Sequence, residues 1–180
     1  MKVTVTHIPE EGLTREFLKD GDWFHSLLPE RDGTDIAIER ISGQYTAAKI
    51  GRTVSVRGSI ETEVTLGCCR CLKEFVLPIR AEFKYTFVPV EKMSNKEELE
   101  LTGEDLGFGY YKDDLIELDL IILEQIILQI PMKPLCDVAC KGLCPRCGID
   151  RNVEQCDHET TSFENPFAVL RQLKINNGKN

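Results

Sequence analysis

Eight cysteines, at positions 68, 69, 71, 136, 140, 144, 147 and 156, carry the strongest chemical signal in this 180-residue chain. Cys68 and Cys71 form a C-x-x-C pair between two strand-like runs, Cys136 and Cys140 a C-x3-C pair, and Cys144 and Cys147 a C-P-x-C-G motif. Cys156 and His158 complete a C-x-H pair. Two thiolates two or three residues apart can reach one tetrahedral ion from a single tight turn, and a following glycine lets the backbone turn its N–H groups toward sulfur. With Cys69 set aside, seven cysteines and His158 make eight ligands, enough for two closed four-coordinate sites. The expected pairing joins Cys68 and Cys71 to Cys136 and Cys140, and Cys144 and Cys147 to Cys156 and His158. The sequence leaves two alternatives open: Cys68 and Cys71 with Cys144 and Cys147, or a single metal with the other thiols free. Zinc is the expected ion, and sites filled by four protein ligands are structural, with no position left for a catalytic water.

Those pairs need elements to hold them. Lys2 to Ile8 alternates like a strand. Thr14 to Leu28 reads as a short helix with Leu13, Phe17 and Leu28 on its apolar side and Pro29 beyond it. Between Ile36 and Val90 the text is mostly strand: 36–38, 45–47, 54–56, 60–66 and 75–88, separated by Gly43, Gly51, Gly58 and Gly67. Met93 to Gly107 reads as a charged loop. Leu118 to Ile130 is the best helix, with Leu120, Leu123, Ile127 and Ile130 at helical spacing and Pro131 as its stop. Its apolar residues exceed one stripe, so it is expected to be buried on the sheet. The segment Pro131 to His158 is loop-like, and a short helix is expected from about Pro166 to Lys174.

The fold expected is α+β: an antiparallel, curved or barrel-like sheet with one buried helix and a cysteine-rich zinc-binding segment. It is expected to form one domain over residues 1–180, with sheet and helices in 1–130, the zinc segment 131–160 docked on them, and a C-terminal helix within 165–175.

Composition narrows the function. The N-terminus lacks the basic flank and apolar run of a signal peptide, and Leu115 to Ile130 is too short and too polar to span a bilayer. A cytoplasmic location is expected, where eight cysteines do not read as a disulfide framework. The net charge of −8 argues against coating nucleic acid by bulk electrostatics. The acidity is local, however: ten acids fall between Glu91 and Asp119, whereas Asn165 to Asn180 has none. A redox role for C-x-x-C is disfavoured, because thiol–disulfide centres place the first cysteine at a helix N-terminus and strand text flanks this pair. His7 and His25 read as ordinary surface residues and Trp23 as a packing residue. No phosphate loop, nucleophile elbow or H-E-x-x-H motif occurs.

Four stretches together resemble a known family: Gly67 to Phe75 (GCCRCLKEF), Asp119 to Cys136 (DLIILEQIILQIPMKPLC), Cys140 to Gly148 (CKGLCPRCG) and Asn165 to Leu170 (NPFAVL). In this order they are similar to the YceD-type large ribosomal RNA subunit accumulation proteins, over about Val54 to Lys174. The resemblance implies a non-enzymatic bacterial or plastid factor for accumulation of large-subunit ribosomal RNA. Many members have cysteine where this chain has His158, and both can ligate metal.

On that basis the metal-stapled turns are expected to present cations to large-subunit RNA or an assembling particle. The candidates are Arg70, Lys73, Lys133, Lys141, Arg146, Arg151, Arg171 and Lys174. Taken singly, each is also what an ordinary solvated charge looks like. A second expectation is a chaperone-like binder of a basic ribosomal protein that docks on the acidic segment. A third is a thiol redox protein. Neither a membrane nor a small-molecule substrate is expected as partner.

Overall fold

A computed structural model describes residues 1–28, 36–90 and 108–158. Its main body is a five-stranded sheet in the order β2-β3-β4-β5-β6, formed by β2 (Leu13–Asp20), β3 (Ala37–Ile50), β4 (Thr53–Gly67), β5 (Glu74–Pro89) and β6 (Phe108–Tyr111). β1 (Lys2–Thr4) pairs separately with β7 (Leu115–Glu117). Among the described residues the α-helices are α1 (Gly21–Leu27) and α2 (Asp119–Gln129).

The sheet is open and does not close into a barrel, which corrects one expectation: among the described residues β2 pairs only with β3, and β6 only with β5. It is not purely antiparallel either, because β6 runs parallel to β5. Eighteen residues, 90–107, separate those strands in sequence, and a tight hairpin cannot join parallel partners. The charged loop expected at 93–107 and the helix expected at 166–174 lie outside the described residues.

Gly43 and Gly58 stand inside long strands, not between short ones. Alternation sends Val54, Val56, Ile60, Val64 and Leu66 of β4 inward, and Gly58 takes an inward place in that series. A Cβ on Gly58 would stand 2.6 Å from the ring of Phe83, its cross-strand partner, and one on Gly43 the same distance from the ring of Phe17. Each glycine therefore makes room for a facing aromatic ring, a role that a sequence reading confuses with a turn.

The helix expected over 14–28 is half strand. Residues 13–20 pair with β3, and only Gly21–Leu27 is helical, capped by Asp20, whose carboxylate accepts from Trp23 N–H at 2.9 Å. Leu13, Phe17 and Leu28 do pack against the core, by strand alternation before the cap and from the chain beyond the helix. Trp23 is half-buried beside them, with the Lys19 ammonium 5.5 Å from its ring centre.

α1 and α2 pack on the inner face, where Phe24, Ile122 and Ile126 meet Ile41, Val54, Val56 and Ile60. α2 does not bury the stripe that its spacing suggested. Ile121, Ile122, Leu123 and Ile126 are buried, whereas Leu120 is 56% exposed and Ile127 41%. With apolar residues on more than one stripe, periodicity alone does not choose the buried face. The choice is made by contact with the sheet, where Gln125 donates to the Tyr85 hydroxyl at 2.9 Å. At its other end α2 stops before Pro131, and the chain returns to the tip of the β4–β5 hairpin.

Candidate metal centre

The β4–β5 hairpin ends in a tight knuckle. Cys68 N–H donates to the Lys73 carbonyl and Leu72 N–H to the Cys68 carbonyl, both at 2.9 Å, with Leu72 at φ +60°. These bonds turn Cys68 and Cys71 to one side. The segment after α2 is laid against them by Cys69 N–H, which donates to the Pro134 carbonyl at 2.9 Å. Cys69 itself, exposed, contributes backbone and no ligand. Cys136 and Cys140 then face the knuckle, and the four sulfurs of Cys68, Cys71, Cys136 and Cys140 all lie within 4.8 Å of one another. The Cys68–Cys140 separation is 3.8 Å and the Cys71–Cys136 separation 3.6 Å. A tetrahedron with metal–sulfur bonds of about 2.3 Å has edges of about 3.8 Å, so the cavity between the sulfurs has the size of one tetrahedral ion. Cys68, Cys71 and Cys140 are buried, with Phe75, Leu135 and Leu143 around them.

The second group, Cys144, Cys147, Cys156 and His158, also has its ligand atoms within 4.8 Å of one another. Cys144 is buried, Cys156 half-buried, and Cys147 and His158 exposed. Gly148 N–H donates to the Cys144 carbonyl and Cys144 N–H to the Ile149 carbonyl, and Gly148 takes φ +74°, which a side chain there would strain. The structure thus brings together the two groups of four first expected, and not Cys68 and Cys71 with Cys144 and Cys147.

Neighbouring N–H groups and thiols shift the ionisation of the cysteines in opposite directions. Backbone N–H groups of Cys136 and Cys71 aimed at Cys68 lower its pKa to about 6. Those of Cys147 and Arg146 do the same for Cys144, also to about 6. The Cys71 thiol beside Cys136, helped by burial, pushes Cys136 up to about 12. The neighbouring Cys144 thiol raises Cys156. In each group backbone N–H groups favour the thiolate of one cysteine, while the hydrogen bond shared with that or a neighbouring thiol disfavours ionisation of another; a dication among them would favour the thiolate forms. Both groups could hold a metal ion, and each would supply four protein ligands.

The cationic candidates divide by what they touch. The Arg70 guanidinium donates to the Cys140 carbonyl at 2.8 Å and the Val138 carbonyl at 3.4 Å, clamping the C-x3-C turn. The Lys73 ammonium is ion-paired with Asp150 at 2.7 Å. Both are tied into the scaffold and are poor candidates for RNA phosphate. Lys133, Lys141 and Arg146 are exposed and Arg151 is half-exposed, all on the cysteine-rich segment. Arg171 and Lys174 lie outside the described residues.

Sequence reasoning missed Asp150 and Asn152, which link the two groups. The Asp150 carboxylate accepts from Asn152 N–H at 2.9 Å, and the Asn152 amide reaches Cys140 Sγ at 3.3 Å. Asp-x-Asn after a glycine is a turn signature that was available in the text. Its target was not.

A family model described as "Large ribosomal RNA subunit accumulation protein YceD" matches residues 56–174. An uncharacterised protein of Mycobacterium tuberculosis is 29% identical over 132 residues, covering 71% of this chain and 60% of the relative. A chloroplastic large ribosomal RNA subunit accumulation protein homologue of Arabidopsis thaliana is 31% identical over 142 residues, covering 65% of this chain and 43% of its own. The large ribosomal RNA subunit accumulation protein YceD of Haemophilus influenzae is 27% identical over 134 residues, covering 68% and 67%. The chain thus spans about 60% of the length of the mycobacterial relative it matches. No solved structure matches significantly. Among the described residues no helix is long and apolar enough to cross a membrane.

Proposed function

The chain belongs to the YceD family of large ribosomal RNA subunit accumulation proteins, and on that premise we propose that it is a non-enzymatic, zinc-stapled factor acting in the cytoplasm on large-subunit RNA or its assembling particle. The observation that carries this reading is the closure of both ligand groups, each with four protein ligands drawn to one point and none left for substrate. Zinc suits them: thiolates are soft ligands, and a d10 ion accepts a tetrahedron without electronic cost. Filled, the centres would hold a segment with almost no regular structure of its own. That segment offers Lys133, Lys141, Arg146 and Arg151 to phosphate oxygens, with turn N–H groups beside them. Flexible turns would pay the ordering cost on binding; stapled ones have met it already.

Two measurements test this. Metal analysis of native protein should give two zincs per chain. Charge reversal of Lys141, Arg146 and Arg151 together should abolish co-sedimentation with large-subunit precursors while leaving metal content and circular dichroism unchanged. Undiminished co-sedimentation of a folded triple variant would overturn the RNA reading.

A protein partner is favoured by a different observation. Leu72, Val138 and Val153, on three turns of the cysteine-rich region, are 71%, 91% and 69% exposed, and Asp137, Glu154 and Asp157 are exposed near them. Aliphatic tips with acidic neighbours suit a basic ribosomal protein better than RNA. Replacing Leu72 and Val138 with serine should weaken such a partnership and spare RNA association. The redox alternative is disfavoured by the setting of Cys68 in a strand-to-strand knuckle, away from any helix N-terminus.

A further inference from the structure

The two ligand groups are not independent neighbours. Between Cys147 and Cys156, both ligands of the second group, the chain makes a turn that delivers Asn152 to the first. Asn152 Nδ2 donates to Cys140 Sγ at 3.3 Å and to Asp150 Oδ1 at 2.7 Å, while its Oδ1 accepts from Lys141 N–H at 2.7 Å. Having an acceptor face a backbone N–H fixes which end of the amide meets the sulfur. Asp150 is held in turn by Lys73, from the hairpin knuckle, at 2.7 Å. Arg151 N–H donates to the Gly142 carbonyl at 3.0 Å, and Gly142 sits so close to Arg70 that a Cβ would come within 2.9 Å of the Arg70 carbonyl.

The chemistry gives this contact a purpose. Four thiolates around a dication leave a double negative charge, three thiolates and a histidine a single one. The four-sulfur centre is also the more buried, so it depends more on donors to sulfur. Arg70 N–H supplies one to Cys68 at 3.5 Å, and Asn152 the side-chain donor to Cys140. A hydrogen bond to a ligand thiolate withdraws charge and resists protonation, which is how a metal–sulfur bond is lost.

We propose that Asn152 is a positioning residue through which the second metal centre stabilises the first, so that loss of metal from the Cys144–His158 group makes the Cys68–Cys140 group labile. This rests on the reading of both groups as metal centres. The turn carrying Asn152 has a ligand of the second centre at each end, and emptying that centre frees both ends. The converse dependence is weaker, since the described contacts give the second group's sulfurs no side-chain donor from the first. The centres would therefore empty in order, the exposed one first.

The test uses full-length protein with cobalt(II) at both centres, whose four-thiolate and three-thiolate absorption bands differ, and follows metal transfer to a chelator. Asn152→Ala should retain two metals, shift the four-thiolate charge-transfer band alone, and release that metal about 10- to 100-fold faster. Cys147→Ser with Cys156→Ser, Asn152 intact, should accelerate the same release similarly, and adding Asn152→Ala should accelerate it no further. If Asn152→Ala does not fold, the Cys147/Cys156 variant decides alone, and unchanged release from the first centre overturns the coupling. Two metals in the unmodified protein, with unchanged release from the first centre in both variants, overturn the coupling and leave the metal reading standing. Fewer than two metals in the unmodified protein overturn the metal reading beneath it.

Discussion

If the Cys68–Cys140 group holds an ion, as proposed, removing it should cost the protein much of its stability without abolishing its sheet. Cys71 and Cys136 are 65 residues apart in sequence, and Cys68 and Cys140 are 72 apart. An ion that joins them closes the whole of β5, β6, β7 and α2 into one loop. Treated as a cross-link, a loop of this length removes unfolded-chain entropy worth about 4 kcal/mol at 25 °C. For a domain of this size about 2–4 °C of Tm accompanies each kcal/mol, so the expected fall is about 8–16 °C. The assay is thermal unfolding followed at 222 nm before and after exhaustive chelation, with metal content checked on the same samples. Cys136→Ser should reproduce the fall. Cys156→Ser should not as long as the first centre keeps its metal, because the second group closes only residues 144–158, outside the cluster that Phe24, Ile60 and Ile122 build. Metal-free protein that melts within 2 °C (about 1 kcal/mol) of the loaded form would refute the cross-link account. Equal falls for Cys136→Ser and Cys156→Ser would refute the assignment of unequal roles.

Gly58→Ala should destabilise by about 1–3 kcal/mol in urea unfolding, since its Cβ would meet the Phe83 ring at 2.6 Å and the Gln44 carbonyl at 2.5 Å inside the sheet. Ile122→Ala, fully buried between α2 and the sheet, should cost about 2–5 kcal/mol by the same measurement. The Asp150 carboxyl is held below its ordinary range, first by its hydrogen bond from Lys73 and then by Asn152 N–H. A depressed native pKa contributes stability that is full above the ordinary carboxylate pKa and lost as pH falls through the native one. Lys73→Met should therefore move the Asp150 carboxyl titration upward by NMR; no movement would show that the ion pair does not govern it. If Lys133, Lys141 and Arg146 touch RNA phosphates, replacing each with glutamine should lower the slope of log affinity against log salt by about 0.7–0.9, measured by filter binding.

Legibility in the sequence followed the range of the interactions. The local pairs Cys68/Cys71, Cys136/Cys140, Cys144/Cys147 and Cys156/His158 were readable from spacing, because a turn of two or three residues already limits where a ligand can point; which pairs share a site was left open. α2 was readable in extent, between Leu118 and Pro131, because a helix closes its own hydrogen bonds and proline ends them. Residues 13–20 misled because Leu13 and Phe17, four apart, lie on one side of a helix and, being an even number apart, on one side of a strand as well. Pairing with β3 decides between those, and no local pattern records it. The interior glycines misled for the same reason, since Phe17 and Phe83, which need the space, sit on other strands.

Residue type and local spacing thus marked seven cysteines and His158 as candidate metal ligands. What the tertiary structure decided is which pairs meet. The β4–β5 hairpin carries Cys68 and Cys71 to the point where α2 releases the chain, so Cys136 and Cys140 arrive first and Cys144 is carried past. It also decided which cations remain available, because Arg70 and Lys73 find carbonyl and carboxylate partners only across that junction. Type and spacing act over one turn; the meeting of residues 65 to 72 positions apart depends on how the sheet and α2 pack.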